Sequence, residues 1–304
     1  MESRVSYYKY STYLKNTYGE KVYKIPVNIN CGCPNRTNGE GCIFCGEDGA
    51  GHESRAIDFN KQINENISYI GKKYNAKKFI IYFQNYTNTF LPITNFEKYL
   101  HQCIRDDVVE IAISTRPDCI SKEYLDVMKK IENKYNVNIT VELGLQTTNY
   151  HTLLKINRGH GLSEFVQAIL LIKKYKFKIC THLILNLPWD NIYDTIESSK
   201  FVSALGVDFI KLHSLYIVKN TKLATMYLNN EIEICSKDEY VKRVITFLEY
   251  LDPNIPVQRL LGRAPEDISL FENWGMSWRK INDEIEFIMK NESIFQGNKF
   301  NIGG

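Results

Sequence analysis

Half of the chain's eight cysteines fall in one stretch, CGCPNRTNGEGCIFCG (31 to 46), between a strand-like run and a glycine-rich loop. In a reducing compartment, clustered thiols serve as metal ligands or catalysts more often than as disulfides. Their spacing is Cys33-x8-Cys42-x2-Cys45, with Cys31 two residues upstream of Cys33. A structural zinc normally takes four protein ligands, in paired C-x2-C units or with histidines. Only one C-x2-C pair exists, so zinc would need Cys31, or His52, the sole nearby histidine. Three thiolates around an iron-sulfur cubane would instead leave one iron without a protein ligand, and an open iron is where a substrate binds. Cys103, Cys119, Cys180 and Cys235 are isolated, which argues against a second cluster.

A second group of chemistry-bearing residues sits on short alternating runs. In VELGLQ (141 to 146), Val141, Leu143 and Leu145 share one face, and Glu142, Gly144 and Gln146 share the other. His182, Ile184 and Asn186 fall together in KICTHLILNLP (178 to 188), as do Lys211 and His213 in VDFIKLHSL (207 to 215). Buried charged or amide groups cost several kcal/mol unless they find partners. A wall this polar therefore reads as the lining of a ligand cavity.

The elements that must position these residues alternate in type. Strand-like runs at 21–29, 77–83, 110–114, 138–145, 178–188 and 207–215 are separated by amphipathic segments such as KEYLDVMKKIENKY and LSEFVQAILLIKKYKF. Six strand-then-helix units predict a parallel sheet with right-handed crossovers. Alternating strands favour a partial α/β barrel over a doubly wound sheet. Ligand chemistry at parallel strands gathers at their carboxyl ends, and the cysteine cluster follows the first strand.

These motifs are similar to those of the radical S-adenosylmethionine (radical SAM) superfamily: three cysteines after the first strand, with Phe44 directly before the last. The x8 spacing departs from the usual C-x3-C-x2-C and resembles one group, the YhcC/YtqA-like proteins related to the Elp3 type. The similar stretches run in order along nearly the whole chain: CPNRTNGEGCIFC, YFQNYTNTFLP, ISTRPDC, VELGLQT, INRGH, HLILNLP, IKLHSLYIVKNTKLA and RLLGRAPED.

The resemblance implies a partial (β/α)6 TIM-type barrel with a carboxyl-terminal helical extension. Its implied divisions are an amino-terminal arm at 1–23, the barrel core at 24–220 and the extension, packed on the barrel, at 221–304. It implies that Cys33, Cys42 and Cys45 hold a [4Fe-4S] cluster, with Cys31 a spare thiol. The open iron would chelate S-adenosylmethionine, and one electron would cleave it to methionine and a 5'-deoxyadenosyl radical. Phe44 resembles the position that meets adenine. Gln84 and Asn85 occupy the place of a glycine-rich turn found elsewhere in the superfamily, and the glycines are absent here. Ser114, Arg116, Glu142 and Gln146 are expected to contact the ribose or methionine part, and Arg158 to supply a fork for a carboxylate. Asn186 and Leu187 end the fifth strand where a backbone edge commonly reads adenine. Lys211 and His213 are expected on the substrate side as the catalytic pair, while His160 reads as a helix cap or a solvent-facing residue.

The resemblance also implies tRNA as substrate: conversion of a carboxymethylaminomethyl side chain at wobble uridine C5 toward aminomethyl. An electron donor such as flavodoxin or ferredoxin would be the partner. Six tyrosines between Tyr7 and Tyr23, interleaved with Arg4, Lys9, Lys15, Lys21 and Lys24, either stack on RNA bases or pack the arm across the barrel seam. Lysine pairs at helix ends, such as Lys129-Lys130, read mostly as solvated faces. Ser236 is expected to cap a helix over 236–251 that stops at the following proline. Arg259 and Arg263 then return toward the cavity mouth or the substrate, and a further helix precedes a glycine-rich end. Net charge of +3 permits an anionic partner without requiring one. With no signal-peptide pattern and no long apolar window, the expectation is a cytoplasmic chain not engaged with membrane. Two other readings stay open: a radical SAM enzyme acting on a small metabolite or peptide, and a non-enzymatic iron-sulfur redox or regulatory protein.

Overall fold

The computed structural model describes residues 6–46, 49, 58–263 and 266–301. Arg4, His52, the Ala264-Pro265 part of the RLLGRAPED stretch and the glycine-rich end lie outside the described residues.

Six strands come first: β1 (Val22–Val27), β2 (Lys78–Phe83), β3 (Val108–Thr115), β4 (Asn138–Gln146), β5 (Lys178–Ile184) and β6 (Phe209–His213). After a short β7 (Ile217–Val218), β8 (Val257–Arg259) adds to the edge of β6, and β9 (Ser269–Phe271) pairs with β7. The main sheet runs β1-β2-β3-β4-β5-β6-β8 with every neighbour parallel. Seven parallel strands thus curl into a half-barrel where the sequence predicts six. The seventh is three residues long, too short to carry a periodic signal.

Helix α1 (Tyr10–Tyr18) precedes the sheet, and α2 (Pro34–Thr37), α3 (Phe59–Tyr74), α4 (Ile93–Gln102), α5 (Lys122–Tyr135), α6 (Tyr150–Lys155), α7 (Leu162–Tyr175) and α8 (Ile192–Ala204) fill the crossovers. The extension supplies α9 (Lys222–Leu228), α10 (Lys237–Tyr250) and α11 (Trp278–Asn291). Capping sets several boundaries. The Ser236 side chain accepts from Glu239 N–H to start α10, as its sequence predicts, and α3 and α5 end on Asn75 and Asn136 in left-handed backbone.

Strand alternation divides the molecule. Ile25, Ile81, Ile113, Val141, Leu143 and Leu212 point outward into the main core beneath the helices and are fully buried. At roughly 1.5–3 kcal/mol per large apolar side chain, this layer carries most of the folding energy. The inward residues form a second, smaller cluster at the amino ends of the strands, where Ile80, Ala112, Cys180 and Phe209 meet Tyr10 and Leu14 of α1. The arm therefore plugs the barrel floor. Tyr10 and Tyr13 pack edge-on against Phe209, Tyr18 donates to Glu110 (3.0 Å) and Tyr23 stacks on Tyr74. Tyr10, Tyr13, Tyr18 and Tyr23 thus pack the arm against the barrel. The paired lysines are likewise engaged locally, Lys130 with Glu97 (2.8 Å) and Lys78 with Glu20 (3.1 Å). No helix of the described residues is long and apolar enough to cross a membrane.

Candidate active site

Above the plug, a cavity of about 620 Å³ opens toward the carboxyl ends of the strands. Cys33, Cys42 and Cys45 all line it. Their loop is fixed by local chemistry. Pro34 begins the single turn of α2 directly after Cys33, whose carbonyl accepts from Arg36 and Thr37 N–H. The long x8 insert is then laced to the segment that follows α6. Asn157 donates to Gly41 O (2.7 Å), Asn35 to Asn157 O (2.6 Å) and Ile43 N–H to Ile156 O (3.1 Å). Gly159 sits in left-handed backbone where a Cβ would come within 2.4 Å of Asn35 Oδ1. Only glycine permits that approach.

Cys31 behaves differently. Its thiol donates toward Asn85 O (3.7 Å) and Asn88 Oδ1 (3.6 Å), and it does not line the cavity. Three soft ligands lining one cavity, with the fourth thiol outside it, suit an iron-sulfur cluster with an open corner better than a four-ligand zinc site. Two N–H groups already aim at Cys42 Sγ, from Asn35 Nδ2 (3.5 Å) and Arg158 Nη1 (3.6 Å). Such donors tune cluster sulfurs.

Arg158 is the pivotal cation at this end. It is buried, its Nη2 donates to Gly144 O (2.7 Å), and its Nε has no partner among the described residues. An unsatisfied buried guanidinium nitrogen is expensive, and a ligand carboxylate would relieve it. Arg116 lines the same region with its fork committed to Asp118 (2.9 and 2.7 Å), and its Nη1 holds the Arg158 carbonyl (2.8 Å). His160 is buried beside them, neither capping a helix with its side chain nor facing solvent. Burial, with the charges of Arg158 and Arg116, pushes it down to about 3, so the ring is neutral.

Phe44, Gln84, Ser114 and Gln146 line the cavity as well. Gln146 ends β4 at φ +81°, a left-handed conformation that strains a non-glycine residue. Three of the expected contacts lie elsewhere. Asn85 exchanges hydrogen bonds with the Ile29 backbone (3.1 and 2.8 Å), splicing the loops after β1 and β2. Asn186 Oδ1 accepts from Leu215 N–H (2.6 Å), and Leu187 packs in an apolar cluster with Ile43 and Ile156.

Deeper in the cavity, Glu142 is the hub of a charged network. Lys24 and Gln258 reach its Oε1, and His182 (2.8 Å) and Lys211 (3.1 Å) reach its Oε2. Burial alone would raise its pKa, but Lys211, Lys24 and His182 together hold it well below the usual carboxylate range. Burial lowers His182 to about 4 and, with Arg259, lowers His213 well below its ordinary value. Both rings are neutral at physiological pH. The contributions of Lys24 and Gln258 escaped the sequence reading, which did bring Arg259 toward the cavity. Lys24 sits beside Pro26 on a strand read for its tyrosines, and Gln258 and Arg259 belong to the short seventh strand.

Compared with known proteins, residues 27–202 match the radical SAM superfamily and residues 207–291 the Radical_SAM C-terminal domain. MJ0486 of Methanocaldococcus jannaschii is 36% identical over 299 residues, 96% of this chain and 92% of that protein. YtqA of Bacillus subtilis is 31% identical over 300 residues, 97% of this chain and 92% of its own length. A tRNA uridine(34) acetyltransferase of Methanocaldococcus infernus is 26% identical over 157 residues, 50% of this chain and 27% of that protein. Among solved structures, Methanocaldococcus infernus Elp3 superposes with a TM-score of 0.69 at 16% identity, covering 90% of this chain and 64% of that one, a likeness of fold. With its half-barrel, its cysteine-lined cavity and these matches, the chain belongs to the radical SAM superfamily and to its YhcC/YtqA-like group, whose cofactors are a [4Fe-4S] cluster and S-adenosylmethionine.

Proposed function

We propose that this radical SAM enzyme modifies the C5 side chain of a tRNA wobble uridine, carrying a carboxymethylaminomethyl group toward aminomethyl. The observation that carries the radical SAM assignment to particular residues is the convergence of Cys33, Cys42 and Cys45 on one cavity while Cys31 turns away. In this reading the three thiolates hold the cluster, and bound S-adenosylmethionine supplies a 5'-deoxyadenosyl radical on one-electron reduction. Radical SAM enzymes need a reductant, and a flavodoxin or ferredoxin would serve. Arg158 takes the methionine carboxylate, with Arg116 holding the arginine's backbone in place. Phe44, Gln84, Ser114 and Gln146 shape the nucleoside side of the cavity. Tyr10 and Leu14 of α1 cover the lower end of the cavity, which limits the approach of water and stray hydrogen donors from that side.

The substrate assignment draws support from the uridine(34) acetyltransferase likeness and the Elp3-like fold. An unpaired wobble base is already accessible, which lowers the cost of presenting its side chain. Lys211 and His213 face the cavity from β6 and would meet that side chain, where a carbon next to nitrogen is the hydrogen donor. The test compares wobble nucleosides of tRNA from cells with and without the gene. Accumulated carboxymethylaminomethyluridine in the deletion supports the reading. An unchanged nucleoside profile, with the purified enzyme still releasing 5'-deoxyadenosine, would move the substrate to a small metabolite or peptide.

A further inference from the structure

Apart from the arginines near the cysteines lies a second cationic pole with a different character. Arg259, the last residue of β8, projects into the cavity. Its Nη2 donates to His213 Nδ1 (2.7 Å), which leaves that imidazole's proton on Nε2. Its Nε is buried without a partner, and among the described residues no carboxylate pairs with it. Glu142 cannot serve, since both its oxygens already accept from Lys24, Gln258, His182 and Lys211. Lys24 and Lys211 thus share the Glu142 carboxylate, and Arg259 beside them has none among the described residues.

The surroundings hold this guanidinium ready for a partner. Gly262 leaves it room, since a Cβ there would lie 3.0 Å from Arg259 Cζ. The turn carrying Gly262 is pinned by Asn273 Nδ2 on Gly262 O (3.1 Å) and by Tyr240 OH on Leu260 O (2.8 Å). A charge-bearing fork that is oriented, partly desolvated and unpaired costs free energy in the empty protein. A planar carboxylate fits it in bidentate fashion and offsets the excess charge.

We propose that Arg259, backed by Lys211 and His213, is the subsite for a carboxylate of the substrate, separate from the Arg158 end that takes the methionine carboxylate. The proposal rests on the cavity being the radical SAM site and not on the substrate being RNA. Arg158 reaches β4 at Gly144 O, whereas Arg259 pairs in register with Lys211 of β6 and reaches His213. The two anionic groups therefore bind at separate places in the cavity. Applied to a wobble uridine, the Arg259 place would receive the carboxymethyl end.

The experiment measures binding to cluster-loaded protein with S-adenosylmethionine present, using 5-carboxymethylaminomethyluridine and its methyl ester as probes. Wild type should favour the acid by about tenfold or more, the value of a strong charge-assisted contact. Arg259→Met should erase the preference, Arg259→Lys should restore part of it, and neither should change S-adenosylmethionine affinity. Equal binding of acid and ester by wild type, or weakened S-adenosylmethionine binding in Arg259→Met, would overturn the proposal. If neither nucleoside binds, the uridine reading fails, and crystals soaked with N-methylglycine decide the subsite. A carboxylate seated on Arg259 sustains it, and its absence there refutes it.

Discussion

The two ends of the barrel interior are built on the same strands and have opposite chemistry. At the amino ends, Ile80, Ala112, Cys180 and Phe209 close around Tyr10 and Leu14 of the arm. Two residues further along those strands stand Tyr82, Ser114, His182 and Lys211, all lining the cavity. A step of about 6.6 Å, one strand repeat, separates a dry plug from a charged chamber. The contrast teaches that the plug supports the chamber: buried charges interact strongly where little water reaches them, and Tyr10 and Leu14 of α1 cover the chamber from below.

The comparison is sharpened most by substitutions at the upper end. Replacing Cys33, Cys42 or Cys45 singly with Ala should reduce cluster content and 5'-deoxyadenosine release to background, while Cys31→Ala retains both; iron and sulfide analysis checks this. Next in size, Tyr10→Ala at the lower end should cost about 3–5 kcal/mol in denaturant unfolding, the range for removing a large aromatic from a core. The surviving folded fraction should still bind S-adenosylmethionine, which would separate support from chemistry. Gly144→Ala places a Cβ 2.7 Å from Arg158 Nη2, so displacement of the arginine should weaken S-adenosylmethionine binding by about tenfold, read by calorimetry.

The smallest effect concerns pH and Glu110, the acid that Tyr18 of the arm meets. Burial raises the Glu110 pKa above its ordinary 4.5. A raised carboxyl stabilises the fold fully below its unfolded pKa and loses that contribution as pH rises through the folded value. Glu110→Gln, which keeps an acceptor for Tyr18, should therefore raise the melting temperature by a few degrees near pH 8 and by less near pH 4. His182 at the upper end runs the other way. Its pKa falls from 6.5 to about 4, so the unfolded chain binds its proton first and stability drops as pH falls through that interval.

Much of this architecture was legible because periodicity is strong where burial is one-sided. The β4 run alternates without a break, so Glu142, Gly144 and Gln146 could be placed on the inner face from their spacing. The x8 spacing and Phe44 pointed to the cysteine loop, and Ser236 marked the start of α10. What escaped was set by tertiary contacts. Asn85 and Asn186 sit at strand ends like lining residues, yet the Asn85 amide ties two loops and Asn186 Oδ1 accepts from Leu215 N–H while its Nδ2 has no partner among the described residues, a division that sequence does not encode. Lys24 and Arg259 come from opposite edges of the sheet. Their meeting around Glu142 and His213 depends on barrel curvature, which no local pattern encodes.

The most direct test is anaerobic reconstitution of the purified chain with iron and sulfide, followed by electron paramagnetic resonance of the reduced protein with and without S-adenosylmethionine. The account predicts about four irons per chain and a spectrum that changes when the sulfonium ligand is added. Zinc bound through four protein ligands, or a reduced cluster indifferent to S-adenosylmethionine, would contradict it.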